Sequence, residues 1–189
     1  MTQIIKVLNS GSRQLKNNHI PSFILDSELI LSNVLNLERE KLLVNLDKKI
    51  SLEEIDLFYK LIDRRSSNEP LAYILKEKEF WSKDFFVNYN TLIPRPETEL
   101  MVEKLIKIYK TKKINFLDVG TGTGCILLSL LVELKKSFGT GIDISQKAID
   151  IAKTNSIKHS ISNRVKFLKR SISEINHCKF DLIVSNPPY

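Results

Sequence analysis

Ile114-Asn115-Phe116-Leu117-Asp118-Val119-Gly120-Thr121-Gly122-Thr123-Gly124 reads as an apolar strand running into a glycine-rich turn, and Cys125 then opens an apolar helix. Glycines at alternate positions let the backbone take tight, positive-φ turns and let a ligand approach closely. Working outward, strand and helix alternate. The first strand is expected over 114–119, a helix from about Cys125 to Lys136, and a second strand from Phe138 to Ile144. Ser145 can cap a helix from Gln146 to His159, and further strands are expected over 165–168 and 180–185. Such alternation predicts an α/β fold, a parallel sheet of Rossmann-like type with crossover helices. A doubly wound domain normally continues for several more strands. The fourth strand is therefore expected to be an edge, and the sheet to be truncated, as in a fragment of a longer product.

The turn narrows the ligand. A dinucleotide turn has the pattern G-x-G-x-x-G, and a P-loop needs a following Lys-Ser/Thr pair. Here the spacing is G-x-G-x-G, with Asp118 two residues ahead of Gly120 and no such pair behind Gly124. Nineteen residues after Gly124 stands Asp143, at the end of the second strand. A carboxylate there accepts hydrogen bonds from ribose hydroxyls. Strand, turn, helix and distal acid together point to S-adenosyl-L-methionine and away from a nicotinamide dinucleotide.

Asn186-Pro187-Pro188-Tyr189 follows the last apolar run, Phe180-Asp181-Leu182-Ile183-Val184-Ser185. An Asn at a strand's carboxyl end offers a carbonyl oxygen in the crevice where open α/β sheets bind ligands. Two prolines fix φ and remove two backbone donors. What is left is a stiff turn rich in acceptors beside an aromatic ring, suited to gripping a planar NH2 group by both hydrogens. The alternative for these four residues alone is an ordinary Asn-Pro loop.

The first 75 or so residues read as helical. Ile4, Ile5, Leu8 and Leu15 form a loose stripe that Gly11 is expected to break, and Pro21 opens a second apolar run. Ser51-Leu52-Glu53-Glu54 is a capping box, behind which Leu52, Ile55, Phe58 (or Tyr59) and Ile62 share one face. His19 is expected in a solvated turn. Glu79-Phe80-Trp81 and Phe85-Phe86-Val87 flank Ser82-Lys83-Asp84 as a hairpin would. Ile93-Pro94-Arg95-Pro96-Glu97-Thr98-Glu99 follows as a stiff segment leading into a helix.

Apolar residues make up 42% of the 189 residues and charged ones 27%, enough to bury a core and unlike a disordered chain. Residues 1–93 carry 13 basic and 13 acidic side chains, whereas 94–189 carry 16 and 9 and so the whole net charge of +7. A polyanionic partner is compatible with the second half, as is simple lysine bias. Cys125 and Cys178 are not at metal or redox spacing and are expected to be buried thiols. No leader and no apolar run long enough for a bilayer is legible, so a cytoplasmic protein without membrane contact is expected.

D-V-G-T-G-T-G, G-I-D and N-P-P-Y, preceded by I-P-R-P-E-T-E, resemble the protein-(glutamine-N5) methyltransferases of the HemK family. N-P-P-Y alone is shared with adenine-N6 and guanine-N2 nucleic-acid methyltransferases, so I-P-R-P-E-T-E is the discriminating segment. The resemblance covers nearly the whole chain and implies an N-terminal helical substrate-binding domain over 1–76, a hairpin and linker over 77–96, and a partial Rossmann-like methyltransferase domain over 97–189. It implies methyl transfer from S-adenosyl-L-methionine to the glutamine of the Gly-Gly-Gln loop of class 1 peptide chain release factors. Gly120, Thr121, Gly122, Thr123 and Gly124 would wrap the methionine part of the cofactor, with Asp143 on its ribose. Asn186, Pro187, Pro188 and Tyr189 would hold the substrate, Asn186 and Pro187 acting in catalysis and Asn186 also bordering the cofactor. Arg95 to Glu99 would wall the site. Two positions depart from the family. Ser171 stands in the segment where the family has an adenine-contacting Ser-Asp-Trp, and Lys76 replaces a family Gly. The alternatives are an adenine-N6 nucleic-acid methyltransferase and a non-catalytic remnant that binds cofactor or release factor.

Overall fold

The computed structural model describes residues 1–175 and 179–187. The chain divides into two compact units, Met1–Leu75 and the remainder from Lys76.

In the first unit a short strand, β1 (Thr2–Gln3), leads into α1 (Ile4–Asn17), α2 (Phe23–Leu35) and α3 (Arg39–Leu43). Then come β2 (Lys49–Ile50), α4 (Leu52–Ser66) and α5 (Leu71–Leu75). β1 and β2 pair antiparallel, Thr2 opposite Ile50, which ties the chain start to the entrance of α4. That entrance is the expected capping box. The Ser51 hydroxyl accepts from the Glu54 amide at 3.1 Å, and Glu54 accepts from the Ser51 amide at 2.7 Å. Hydrogen bonding of the Glu54 carboxylate by Ser51, through its backbone amide foremost and then its side chain, lowers the Glu54 pKa. Ile4, Leu15, Ile30, Leu31, Phe58 and Ile62 are sealed in one core. Leu52, expected on that face, is 71% exposed. As the first residue of α4 it lies beyond the edge of the bundle's packing. Asp26 is buried and accepts from Arg65 Nε at 2.6 Å, a pair that binds α2 to the end of α4.

Gly11 interrupts the apolar stripe but not the helix, and α1 runs through it. A Cβ there would stand 2.5 Å from Phe58 Cζ, so glycine is present to let α4 approach. His19 is exposed in a turn at φ 59°, as expected.

The second unit begins with a hairpin of β3 (Glu77–Phe80) and β4 (Lys83–Phe86). Its turn is Trp81-Ser82, not the expected Ser82-Lys83-Asp84. Both turn residues are left-handed, φ 54° and 51°, as a tight two-residue hairpin requires. The Trp81 amide donates to Glu99 Oε1 at 2.9 Å, which helps to hold this costly conformation. A 3₁₀ turn (Pro96–Thr98) then leads into α6 (Glu99–Tyr109).

Next come β5 (Asn115–Val119), α7 (Cys125–Glu133), β6 (Phe138–Asp143), α8 (Gln146–Lys158), β7 (Val165–Lys169) and β8 (Leu182–Ser185). The four strands form one parallel sheet in the order β7-β6-β5-β8, the predicted Rossmann-like α/β arrangement. Among the described residues β8 is an edge, as expected. α7 stops at Glu133, short of the predicted Lys136. The Arg164 guanidinium donates to the carbonyls of Leu131, Leu134 and Ser137 at 2.6, 3.2 and 3.2 Å, satisfying groups that a longer helix would have used. A core lies between α7 and the sheet, with Phe116, Leu127, Leu130 and Leu131 fully buried. No described helix is long and apolar enough to cross a membrane.

Two substitutions should move stability in opposite directions. Gly11→Ala should lower the unfolding free energy measured in urea by about 1–2 kcal/mol, because overpacking against the buried Phe58 ring outweighs the gain in helix propensity. Lys76 adopts φ 58°, a conformation that costs a side-chain-bearing residue about 1–2 kcal/mol. Lys76→Gly should raise the unfolding free energy by up to about 1 kcal/mol once the added chain entropy is subtracted.

Candidate active site

In the order β7-β6-β5-β8 the chain winds outward in both directions from β5, and ligands of such sheets bind at the carboxyl ends where the order reverses. Val119 pairs with Ser185 there, so Gly120 and Asn186 are the next residues on neighbouring strands. The Ser185 hydroxyl donates to the Val119 carbonyl at 2.9 Å, locking the two strand ends together.

The glycine turn leaves β5 with Gly120, Gly122 and Gly124 at φ 70°, 54° and 79°. The Gly120 and Thr121 amides both donate to the Ile142 carbonyl on β6 at 2.9 Å. The Gly122 amide donates to Asp143 Oδ2 at 3.1 Å, while Asp143 Oδ1 accepts from the Ser145 amide at 2.9 Å. Ser145 in turn caps α8 as predicted, accepting from the Ala148 amide. Asp143 thus braces the turn and the helix entrance together.

A cavity of about 450 Å³ opens over these strand ends. Its lining includes Gly120, Gly122, Asp143, Ser171, Asn186 and Pro187, all expected at a ligand site. Thr121, Thr123 and Gly124 are not part of the lining. Thr121 donates to Asp118 Oδ2 at 2.7 Å and Thr123 accepts from the Cys125 amide at 3.3 Å, so both hydroxyls serve the turn itself. Leu92, Ile144 and Ile172 also line the cavity and are 53, 75 and 50% exposed. They were missed from sequence, although Ile144 directly follows the acid and Ile172 directly follows Ser171. Among the described residues no aromatic ring lines the cavity beside Ser171. Ser171 caps the short 3₁₀ turn Ile172–Glu174 that carries Ile172, its amide donating to Glu174 at 2.6 Å.

A second cavity, of about 660 Å³, is lined by Arg95, Pro96, Glu97, Thr98, Met101, Ser185 and Asn186. Glu99, expected beside them, is instead engaged with the Trp81 amide. Ser185 and Asn186 belong to both linings, so they form the wall between the two cavities. Asn186 Nδ2 donates to Thr98 Oγ1 at 3.2 Å, which ties the I-P-R-P-E-T-E segment to the end of β8. Pro188, Tyr189 and Cys178 lie outside the described residues.

Asn155, also missed, is fully buried in α8. Its oxygen accepts from the Phe86 amide at 2.7 Å, and its Nδ2 donates to the carbonyls of Phe86 and Thr123 at 3.0 and 2.9 Å. One side chain therefore pins the hairpin and the glycine turn to one helix. The Cys125 residue keeps some surface, yet burial of its thiol pushes the pKa up to about 12, leaving it protonated and inert.

Asp118 is buried beneath the turn, and its Oδ1 makes no hydrogen bond. Burial first, and then the neighbouring charge of Asp143, raise its pKa to about 6 against the pull of Thr121 and the Leu127 amide. An open apolar cavity with the Asp143 carboxylate at one rim, over a glycine turn, could hold an amphipathic nucleoside. S-adenosyl-L-methionine is such a molecule.

The PrmC N-terminal domain family matches residues 6–75, and a methyltransferase domain family matches residues 110–188. The release factor glutamine methyltransferase of Leptospira interrogans is 41% identical over 191 residues, covering 98% of this chain and 67% of that protein. This chain belongs to the release factor glutamine methyltransferase family. The corresponding protein of Buchnera aphidicola is 40% identical over 92% of the chain and 63% of its own length. A bifunctional methyltransferase of Rickettsia typhi is 39% identical over 98% of the chain. The chain spans about 40% of the length of that Rickettsia relative. Family membership agrees with the expectation drawn from the four motifs.

The buried acid sets a pH dependence. With a folded pKa of about 6 and an unfolded value near 3.9, protonated Asp118 favours the folded state. Its contribution is fully present below about pH 4 and is lost as pH rises through about 6. Relative to Asp118→Asn, the ligand-free parent should lose about 2–3 kcal/mol between pH 4 and 7 in urea titrations. Parallel curves for the two proteins would show that Asp118 ionises without penalty.

Proposed function

We propose that this chain carries the methyl-transfer site of an enzyme that modifies release factors. S-adenosyl-L-methionine donates the methyl group, and the side-chain amide nitrogen (N5) of the glutamine in the Gly-Gly-Gln motif of class 1 peptide chain release factors accepts it. The observation that carries this reading is the shared wall: Asn186 borders both the cavity beside Asp143 and the cavity beside Arg95–Thr98. A group on that wall faces a donor molecule on one side and an acceptor molecule on the other. Similarity to release factor glutamine methyltransferases supports the same assignment.

The first cavity suits the cofactor. Asp143 is available to the ribose hydroxyls, and a carboxylate retains acceptor capacity beyond its two bonds to backbone amides. A Cβ added at Gly120 would meet nothing within 4 Å, so the turn leaves room for a ligand to lie against its backbone. Adenine contact falls to aliphatic side chains, Ile144 and Ile172 with Leu92, in place of a ring. Bound there, the cofactor supplies a methyl group on a positively charged sulfur, whose bond electrons stay with sulfur when the methyl leaves.

An amide nitrogen is a weak nucleophile because its lone pair is delocalised into the carbonyl. Asn186 Oδ1 and the Pro187 carbonyl each accept one N–H of the substrate amide in this reading, turning the lone pair toward the methyl. Pre-organised placement of this kind can recover about 7–11 kcal/mol of barrier. No catalytic base is required of the chain, since the methylated amide cation surrenders its proton to water. Arg95 and Glu97, both exposed on the second cavity, are available to the substrate backbone around the glutamine.

Radiolabelled cofactor offered to release factor and nucleic acid together should label the release factor, and label on adenine would overturn the substrate assignment. Asn186→Ala should reduce transfer by roughly 10²-fold or more, while calorimetric cofactor affinity changes by less than about tenfold. Undiminished turnover by that variant would end this reading.

A further inference from the structure

The carboxyl ends of the sheet strands border the cavities, and their amino ends lie at the opposite edge. Because β6, β5 and β8 are parallel neighbours, the segments that enter them emerge side by side, about 4.8 Å from strand to strand. Lys112 and Lys113 precede β5, Lys135 and Lys136 precede β6, and Lys179 precedes β8. All five are exposed. Among the described residues the lysines in ion pairs are Lys60, Lys107 and Lys158, and none of these five is one of them. Arg164, at the entrance of β7, adds a further positive charge, its guanidinium turned onto the carbonyls at the end of α7. Two carboxylates share this edge: Glu133 accepts from Trp81 Nε1 at 3.3 Å, and Asp181 accepts from the Asn115 amide at 2.7 Å. Positive charge is therefore in excess here. A helix carboxyl end favours one nearby cation, a need that Lys110 at the cap of α6 already meets, so the pairs at 112–113 and 135–136 exceed it.

An aromatic ring stands among these cations. Phe138, the first residue of β6, is 46% exposed. Lys113 Nζ lies over its ring, 5.8 Å from the centroid, and this exposed contact is weak and exchangeable. Lysines that take phosphates, beside a ring that takes a base by stacking, are the elements of a single-strand platform. An acidic peptide could neutralise the lysines but leaves the ring without a planar partner. We propose that the amino edge of the sheet is a docking surface for a single-stranded nucleic acid. Lys112, Lys113, Lys135, Lys136 and Lys179 meet its phosphates and Phe138 meets a base. The five residues of β5 put roughly 15 Å of strand between this edge and the glycine turn. The nucleic acid is thus a tether for the chain, held apart from Asn186, and not the methyl acceptor.

The test uses the full chain and a fluorescein-labelled single-stranded RNA of mixed sequence, read by fluorescence anisotropy. Neither cofactor nor release factor is present, so failure here leaves the methyl-transfer reading untouched. The parent should bind with Kd of about 10⁻⁶–10⁻⁴ M at physiological salt. Its log K should fall against log salt with a slope of about −3, as for four or five neutralised phosphates. Changing Lys112, Lys113, Lys135 and Lys136 together to Gln should weaken binding by about tenfold or more and flatten the slope to about −1. Lys113→Gln with Lys136→Gln alone should change the slope by about 1.4, which keeps the test open if the fourfold variant does not fold. Phe138→Ala should weaken binding about fivefold or more and leave the slope in place. A control with Lys6, Lys41, Lys48 and Lys49 changed to Gln removes the same charge from exposed positions of the first unit and should bind as the parent does. Absence of saturable binding, an unchanged slope in the edge variants, or an equal loss in the control would overturn the proposal. Polyglutamate or phosphatidylserine vesicles that compete as well as unlabelled RNA would overturn it too, by assigning the surface to an acidic protein or a membrane.

Discussion

The parallel pairing of β5 with β8 is the constraint on which the rest of the second unit depends. Residues 66 apart in sequence are joined at both ends of this short ladder. At one end the Asn115 amide donates to Asp181 Oδ2 at 2.7 Å and the Asp181 amide donates to the Asn115 carbonyl at 2.8 Å. At the other the Ser185 hydroxyl reaches the Val119 carbonyl at 2.9 Å. The register between these bonds brings a glycine turn and an asparagine to the same level. A slip of one residue would turn Val184 out of the core and carry Asn186 away from the cavity wall. Closing so long a loop costs chain entropy, and burial of Phe116, Leu117 and Val184 offsets it.

Around that pairing the molecule uses polar side chains to fasten backbone that has no ladder partner. Asn155 fills this role for Phe86 and Thr123, Arg164 for the end of α7, and Asp143 for Gly122 and Ser145. Each supplies hydrogen bonds to groups whose burial without a partner would cost about 1–3 kcal/mol apiece. Asp118 is the exception: one of its oxygens has no partner and its pKa rises to about 6. A fold that tolerates such a group gives up stability at that place.

Local chemistry carries far in this sequence because several elements are settled within a few residues. The capping box at Ser51, the cap at Ser145 and the alternation of strand and helix after Ile114 all depend on near neighbours. Readings failed where a distant residue decides the local conformation. Gly11 reads as a mere gap in an apolar stripe until Phe58 arrives to occupy the space a Cβ would need. The hairpin turn moves to Trp81-Ser82 because Glu99, 18 residues away, takes the Trp81 amide. α7 ends early because Arg164 supplies its final donors.

By itself the sequence determined the α/β class, the glycine turn, the acid at the end of the next strand and the asparagine at a strand end. It also determined the family, through motifs whose chemistry depends on spacing along the chain. Only the tertiary structure decided that Asn186 separates two cavities, that Ile144 and Ile172 flank the one beside Asp143, and that Thr98 faces Asn186. The physical reason is strand order. Periodicity reports which face of an element is apolar, but it does not report which strands lie side by side, and the site is built where two of them do.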